Sequence, residues 1–189
     1  AELRKSGAVK ALIAAGCLAQ RYWEEIQKEI PEVDVIVGTT AIDAIADALE
    51  EVLAGKPQNY LKDISHMPAV YDHSAEHKRI VTTGGHYAYL KIAEGCDKHC
   101  SYCIIPKVRG HYRSIPMEEL ILEAERLVSF GAKEIILVAQ ETTLYGMDLY
   151  GEKRLPELLK RLCAIAGVYW IRLLYCYPEA VSYTHLTLP

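Results

Sequence analysis

Three cysteines within eight residues are the part of this 189-residue sequence best suited to chemistry. Cys96, Cys100 and Cys103 follow Cys-x3-Cys-x2-Cys spacing. Thiolates bind soft metal centres, of which zinc, copper(I) and iron–sulfur clusters are the usual ones. A closed zinc site takes four ligands, usually as two separated pairs, whereas only three cysteines cluster here. Three thiolates on a four-iron cluster would leave one iron open to a substrate or cofactor.

A zinc site remains an alternative. His99 or His111 could supply the fourth ligand, and the spacing alone does not exclude this. The chain would then be a non-catalytic metal-binding or electron-transfer module. The spacing of three further histidines matches no common closed metal site, and we interpret these residues as part of a solvated connector: His66, His73 and His77.

The elements around the cysteines predict a parallel α/β layer. Residues 87–92 alternate, with Ala88, Leu90 and Ile92 on the buried face of a strand, and Gly95 ends the pattern. Catalytic groups gather at the carboxyl ends of such strands, which brings in Gln140 and Glu141. The later elements are predicted as a helix at 116–130, a strand at 134–139, a loop at 140–151, a helix from Pro156 in which Cys163 falls at core spacing, and a strand at 169–174.

The first part of the chain shows the same alternation. An apolar stripe of Ile42, Ile45, Ala46, Leu49 and Val52 predicts an amphipathic helix. The predicted elements are a strand at 8–15, a helix at 20–30, a strand at 34–37 and a helix at 41–53 that Thr39 or Thr40 caps.

The motif Cys96-x3-Cys100-x-Tyr102-Cys103 resembles the signature of the radical S-adenosylmethionine (SAM) superfamily. Its flanks, GCDKHCSYCIIPKVRGHYRS and KEIILVAQETTLYGMDLYG, resemble the methylthiotransferases of that superfamily. The resemblance implies a 4Fe–4S cluster on the three cysteines, SAM on its open iron, and Tyr102 against the adenine. Gln140 and Glu141 are then candidates for polar contacts to SAM.

Cys17 gains a role from the same resemblance. The segment GCLAQRYWEEIQKEIPEVDVIVGT is similar to the end of the methylthiotransferase amino-terminal domain, in which three cysteines hold a second 4Fe–4S cluster. Cys17 matches the third of them, and the sequence contains no match to the other two. We therefore expect this chain alone to be inactive in sulfur insertion. By itself, a lone cysteine after a strand would be read as a small buried side chain.

The resemblance implies four regions. Residues 1–55 would be the end of a partial Rossmann-like parallel α/β domain, and 56–85 a linker. Residues 86–182 would be the first half of a radical SAM (β/α)6 open barrel. The tail, 183–189, departs from the family pattern, and we interpret it as foreign to the fold.

The expected activity is addition of a methylthio group to an aspartate of a small-subunit ribosomal protein, since the second flank is more like that branch of the family. The alternative substrate is an adenosine of transfer RNA. The expected electron donor is a flavodoxin or ferredoxin, and the expected location is the cytoplasm. The formal charge of -4 leaves no global basic surface, and no apolar run approaches the ~20 residues that span a bilayer. Local cations could bind a carboxylate: Lys107, Arg109 and Arg113.

Overall fold

The computed structural model describes residues 2–64, 82 and 84–178. The chain divides into one unit of Ala1–Val70 with Lys98–Gly110, and a second of Tyr71–Asp97 with His111–Pro189. Segment 98–110, which the sequence analysis assigns to the half barrel, is thus grouped with the first unit. Several predictions lie outside the described residues: most of the linker, the three connector histidines (His66, His73 and His77) and the tail.

The first unit is built on a short parallel sheet. Strands β1 (Ile13–Ala15) and β2 (Val35–Val37) pair with Ile13 opposite Val35. The predicted helix at 20–30 is instead two helices, because Tyr22 leaves the helical conformation at φ -115° and ψ 34°. The helices of this unit are α1 (Glu2–Lys5), α2 (Cys17–Arg21), α3 (Trp23–Glu29), a 3-10 turn at Ile42–Ala44, α4 (Ile45–Leu53) and α5 (Ile105–Arg109).

The apolar stripe predicted for α4 is buried only in part, since Val52 packs against the core. Ile42, Ile45 and Leu49 are each more than 40% exposed, whereas Ala44 and Ala48 are buried. Small side chains let the helix approach a sheet whose two strands have only three residues each, and so narrow a sheet cannot also cover the isoleucine stripe. The predicted threonine cap is wrong, because no side chain caps the 3-10 turn or α4.

The beginning of the predicted linker packs on the first unit. Tyr60 N donates to Ile36 O at 2.9 Å, and Gly38 N donates to Tyr60 O at 2.8 Å. Ile36 N donates to the side-chain oxygen of Asn59 at 2.9 Å. These bonds satisfy the free edge of β2. Hydrophobic periodicity cannot reveal such a segment, because its backbone makes the contacts.

The second unit contains a three-stranded parallel sheet. Its strands, β3 (Tyr87–Lys91), β6 (Glu134–Val138) and β7 (Trp170–Leu173), lie in the order β3-β6-β7. Tyr87 is opposite Glu134, which is opposite Trp170. The prediction of an α/β fold with parallel strands is confirmed. The buried face of the first strand is also confirmed, since Ala88, Leu90 and Ile92 are fully buried.

Helices α6 (Met117–Ser129) and α8 (Leu155–Cys163) complete this unit's core. Leu158 and Leu162 of α8 are fully buried, but Cys163 is exposed. The prediction that Cys163 occupies a core position is therefore wrong: it follows Leu162 directly, and adjacent helical residues point about 100° apart. None of the helices in the described part of the chain is long and apolar enough to cross a membrane.

Candidate metal and cofactor site

The cysteine loop begins at the carboxyl end of β3 and is closed at its base by a short antiparallel ladder. Strand β4 (Ala93–Glu94) pairs with β5 (Arg113–Ser114), with Ala93 opposite Ser114 and Glu94 opposite Arg113. The ladder is joined to the main sheet, because Ile92 N donates to Val138 O at 2.9 Å. Both ends of the loop between β4 and β5 are therefore held in place by the sheet.

None of the six cysteines forms a disulfide, and three of them lie on this loop. Cys96 is 7% exposed and belongs to the second unit, whereas Cys100 and Cys103 are partly buried and belong to the first. A tight turn joins the latter two, since Cys103 N donates to Cys100 O at 2.9 Å.

No three His, Cys, Asp or Glu side chains among residues 2–64, 82 and 84–178 converge as the ligands of a single metal ion would. The thiolates of a 4Fe–4S cluster bind different irons, so such convergence is not required of them. Three soft thiol donors on an irregular loop therefore fit the donor set of a cluster.

The histidines proposed for a zinc site differ in their surroundings. His111 Nδ1 lies in hydrogen-bond contact with Asp97 Oδ1 at 2.8 Å, and its side chain is 84% exposed. His99 is also exposed. The zinc alternative stays a prediction, and His111 would have to exchange Asp97 for a metal to serve it.

Cys17 begins helix α2 directly after Gly16, whose φ of 111° few other residues adopt. Helix α5, which follows Cys103, packs against α2 within the first unit. Cys17 thus shares a unit with two cysteines of the loop. Its role as a ligand of a second cluster stays a prediction.

Gln140 and Glu141 follow β6, and their side chains have different surroundings. Gln140 Oε1 is buried and has no hydrogen-bond partner among the described residues, which leaves an acceptor available for a ligand. Glu141 is 2% exposed and caps a 3-10 turn at Thr142–Leu144, where its Oε1 accepts from Thr143 N at 3.0 Å and from the Thr143 hydroxyl. Contacts of either residue to SAM stay predictions.

Tyr102 is 91% exposed, so none of the described residues covers its ring. An exposed aromatic ring next to Cys103 in the sequence offers an apolar face on which a purine could stack. Its predicted contact with adenine stays untested.

Contacts that no sequence pattern predicts hold the base of the cysteine loop. Asp148 in α7 (Met147–Tyr150) accepts two hydrogen bonds from Ser114, from its N at 2.7 Å and from its Oγ at 2.6 Å. Ser114 Oγ in turn accepts from Gly146 N at 3.0 Å. Tyr145 Oη donates to Ile115 O at 2.8 Å, and Met117 N donates to Tyr150 Oη at 3.0 Å.

Residues 145–150, predicted as loop, thus form an ordered segment that binds the backbone next to β5. We call residues 145–150 the clamp. Each partner lies 30 to 34 residues away in the sequence, so no local spacing signals these contacts.

Tyr112 is a residue that the sequence analysis missed. It is 6% exposed, and its buried Oη makes no hydrogen bond of normal geometry among the described residues. Burial raises the pKa of its hydroxyl, and the charges of Asp148, Glu141 and Cys96 raise it further. Ser114 is close enough to affect this pKa as a donor, but its hydroxyl proton already goes to Asp148.

The cysteine loop after the first strand of a parallel sheet is the arrangement of a radical SAM domain. In agreement with this, residues 90–182 match the Radical SAM superfamily. Over most of its length, the chain is also similar to methylthiotransferases.

The chain is similar to several proteins named ribosomal protein uS12 methylthiotransferase RimO. The protein from Lachnoclostridium phytofermentans is 58% identical over 182 residues, which are 96% of this chain and 40% of the relative. The Clostridium tetani protein is 49% identical over 94% of this chain and 39% of its own length. The Acetivibrio thermocellus protein is 50% identical over 90% of this chain and 38% of its own length. The chain therefore spans about 40% of the length of these relatives.

Proposed function

We propose that this chain holds a 4Fe–4S cluster on Cys96, Cys100 and Cys103 and binds SAM beside it, as part of a methylthiotransferase for ribosomal protein uS12. The observation that carries the proposal is the loop of three cysteines, none of them in a disulfide, anchored at the carboxyl end of a parallel strand. When bound, such a cluster with SAM supplies a deoxyadenosyl radical that can remove hydrogen from an unactivated carbon.

The chain's own residues hold and orient the ligand. The clamp and the β4–β5 ladder fix the base of the loop, so that Cys96 leaves from a defined position. Tyr102 presents an exposed ring to the adenine. Gln140 Oε1 accepts a hydrogen bond from an amino or hydroxyl group of SAM, which removes the cost of its unpaired buried oxygen. Lys107 and Arg109 supply positive charge for a carboxylate.

The proposed substrate is ribosomal protein uS12, which the names of the relatives support, and the resemblance implies an aspartate side chain as the acceptor. A flavodoxin or ferredoxin would supply the electron, and the cytoplasm would be the site of action. Cys17 would contribute one ligand of a second cluster, and the chain alone would not insert sulfur.

The test is anaerobic reconstitution with iron and sulfide, followed by electron paramagnetic resonance of the reduced chain with and without SAM. We expect about four irons per chain and a spectrum that SAM shifts. Cys100→Ala should lose the cluster. Cys163→Ala is the matched control, because Cys163 is an exposed thiol at the end of α8, and it should behave as the parent.

Two results would contradict the proposal. One is tight binding of a single zinc with no iron spectrum, which would indicate the zinc alternative. The other is a cluster in the parent whose spectrum does not respond to SAM, which would indicate a closed electron-transfer centre. Transfer of the methylthio group to transfer RNA instead of uS12, measured with a protein of the relatives' full length, would contradict only the substrate.

A further inference from the structure

Tyr112 lies at the same end of the β4–β5 ladder as Cys96. Glu94 pairs with Arg113, so the chain leaves the ladder through Gly95 on one side and Tyr112 on the other. Cys96 is the next residue along. The two sides remain in contact beyond the ladder, because Tyr112 N donates to Asp97 Oδ2 at 3.2 Å. The ring of Tyr112 and the thiol of Cys96 are both buried, at 6% and 7% exposure.

The Tyr112 hydroxyl is a buried donor without an acceptor in the described part of the chain. Ser114 and Glu141 both affect the pKa of this hydroxyl, but neither makes a hydrogen bond of normal geometry with it, and both have other partners. Ser114 Oγ donates to Asp148 Oδ1 at 2.6 Å and accepts from Gly146 N. Glu141 Oε1 accepts from Thr143 N. A buried hydroxyl left unpaired is costly, so this position favours an acceptor that the bare polypeptide does not offer.

A metal-bound thiolate is such an acceptor. The sulfur of Cys96 would carry negative charge once it binds iron, and that charge grows when the cluster is reduced. A donor hydrogen bond to the sulfur stabilises the reduced state more than the oxidised one, and this is one of the ways by which proteins set the potential of iron–sulfur clusters.

We propose that the Tyr112 hydroxyl donates a hydrogen bond to the Cys96 thiolate in the cluster-loaded chain and thereby raises the reduction potential of the cluster. The inference rests on the proposed function, since it requires a cluster on Cys96. Tyr112 is a positioning and tuning residue and not a catalytic one, because it acts through the ligand. The clamp supports it, since Ser114 and Asp148 hold the strand that carries it.

The test compares the parent with Tyr112→Phe in two states. In the metal-free chain, the change removes an unpaired buried hydroxyl, so the urea midpoint of unfolding should stay the same or rise. Tyr145→Phe is the contrasting variant, because it removes a hydroxyl that donates to Ile115 O, and its midpoint should fall. In the reconstituted chain, redox titration followed by electron paramagnetic resonance gives the midpoint potential and the spectrum.

We expect a more negative cluster potential in Tyr112→Phe, with roughly a tenfold lower ratio of reduced to oxidised cluster at a fixed potential, the size of one hydrogen bond to a charged group. Tyr89→Phe, on the exposed part of β3, should leave the potential unchanged. A loaded parent and variant with equal potentials would refute the inference and leave the proposed function standing. A metal-free Tyr112→Phe that unfolds as early as Tyr145→Phe would also refute it, because the hydroxyl would then have a protein partner. A parent that takes up no cluster would overturn the proposed function and this inference together.

Discussion

Replacing Asp148 tests whether the clamp holds the base of the cysteine loop. Asp148→Ala removes two acceptors from Ser114, whose N and Oγ lie 2.7 Å and 2.6 Å from the carboxylate. A hydrogen bond to a charged group contributes about 1.5–3 kcal/mol, and Ser114 is only 4% exposed, so its N–H would be left buried without this acceptor. Asp148 is itself exposed, which lets water replace part of the loss. We therefore expect a loss of about 2–4 kcal/mol in the free energy of unfolding.

The assay is urea unfolding of the metal-free chain, followed by circular dichroism. With a slope of about 2 kcal/mol per molar, this loss lowers the midpoint by roughly 1–2 M. Asp148→Asn keeps one acceptor and should lose about half as much. Glu125→Ala is the matched control, because Glu125 is an exposed carboxylate on α6 of the same unit, and it should change stability by less than about 0.5 kcal/mol. If Asp148→Ala and Glu125→Ala had the same urea midpoint of unfolding, the clamp would not stabilise the base of the loop.

Three further variants test separate features of the chain. Gln140→Met should keep or raise the stability of the metal-free chain, because Gln140 Oε1 has no hydrogen-bond partner among the described residues. The same change should weaken SAM binding to the reconstituted chain by about tenfold, measured by calorimetry. An unchanged SAM affinity would exclude the predicted contact. Tyr102→Ser should leave the urea midpoint of unfolding unchanged, since the ring is 91% exposed, and should weaken SAM binding about tenfold. A variant that loses both stability and SAM affinity would indicate a structural role for the ring. Hydrogen bonds from Arg4 and Leu12 N hold the pKa of Asp34 below its usual value, so Asp34 contributes stability above about pH 3.9 that is lost as the pH falls through its folded pKa. Asp34→Asn should therefore flatten the decline of the unfolding midpoint below about pH 4, and an unchanged acid profile would contradict this.

The parallel sheet of the second unit could be predicted from the sequence because its burial pattern is local. Alternation along β3 and the continuous apolar run of β6 depend on which face of a strand meets the core, and both patterns recur every two residues or fill the strand. The same reasoning succeeded only in part for α4. Its isoleucine stripe has the period of a buried face, but a sheet of two short strands accepts only the alanine side.

The candidate site divides in the same way between local and distant information. Spacing and residue type were enough to select Cys96, Cys100 and Cys103 as candidate ligands, because residues on one loop are close together in the sequence. The surroundings of Asp148 and Tyr112 could not be predicted from the sequence. Asp148 binds a residue that is distant in the sequence, and the Tyr112 hydroxyl is buried without a hydrogen-bond partner among the described residues. Residues such as Gly146 and Tyr145 resembled a family signature in the sequence, and the structure shows that they bind the loop base.

By itself, the sequence determined the type of chemistry: three clustered thiols, an aromatic residue among them, and alternating elements that carry them to the end of a strand. These are properties of residue type and short spacing, which the chain retains before it folds. The tertiary structure decided which polar groups are paired and which are left over. Hydrogen-bond satisfaction depends on atoms brought together across more than 30 residues, as between Ser114 and Asp148, and no local pattern encodes that pairing.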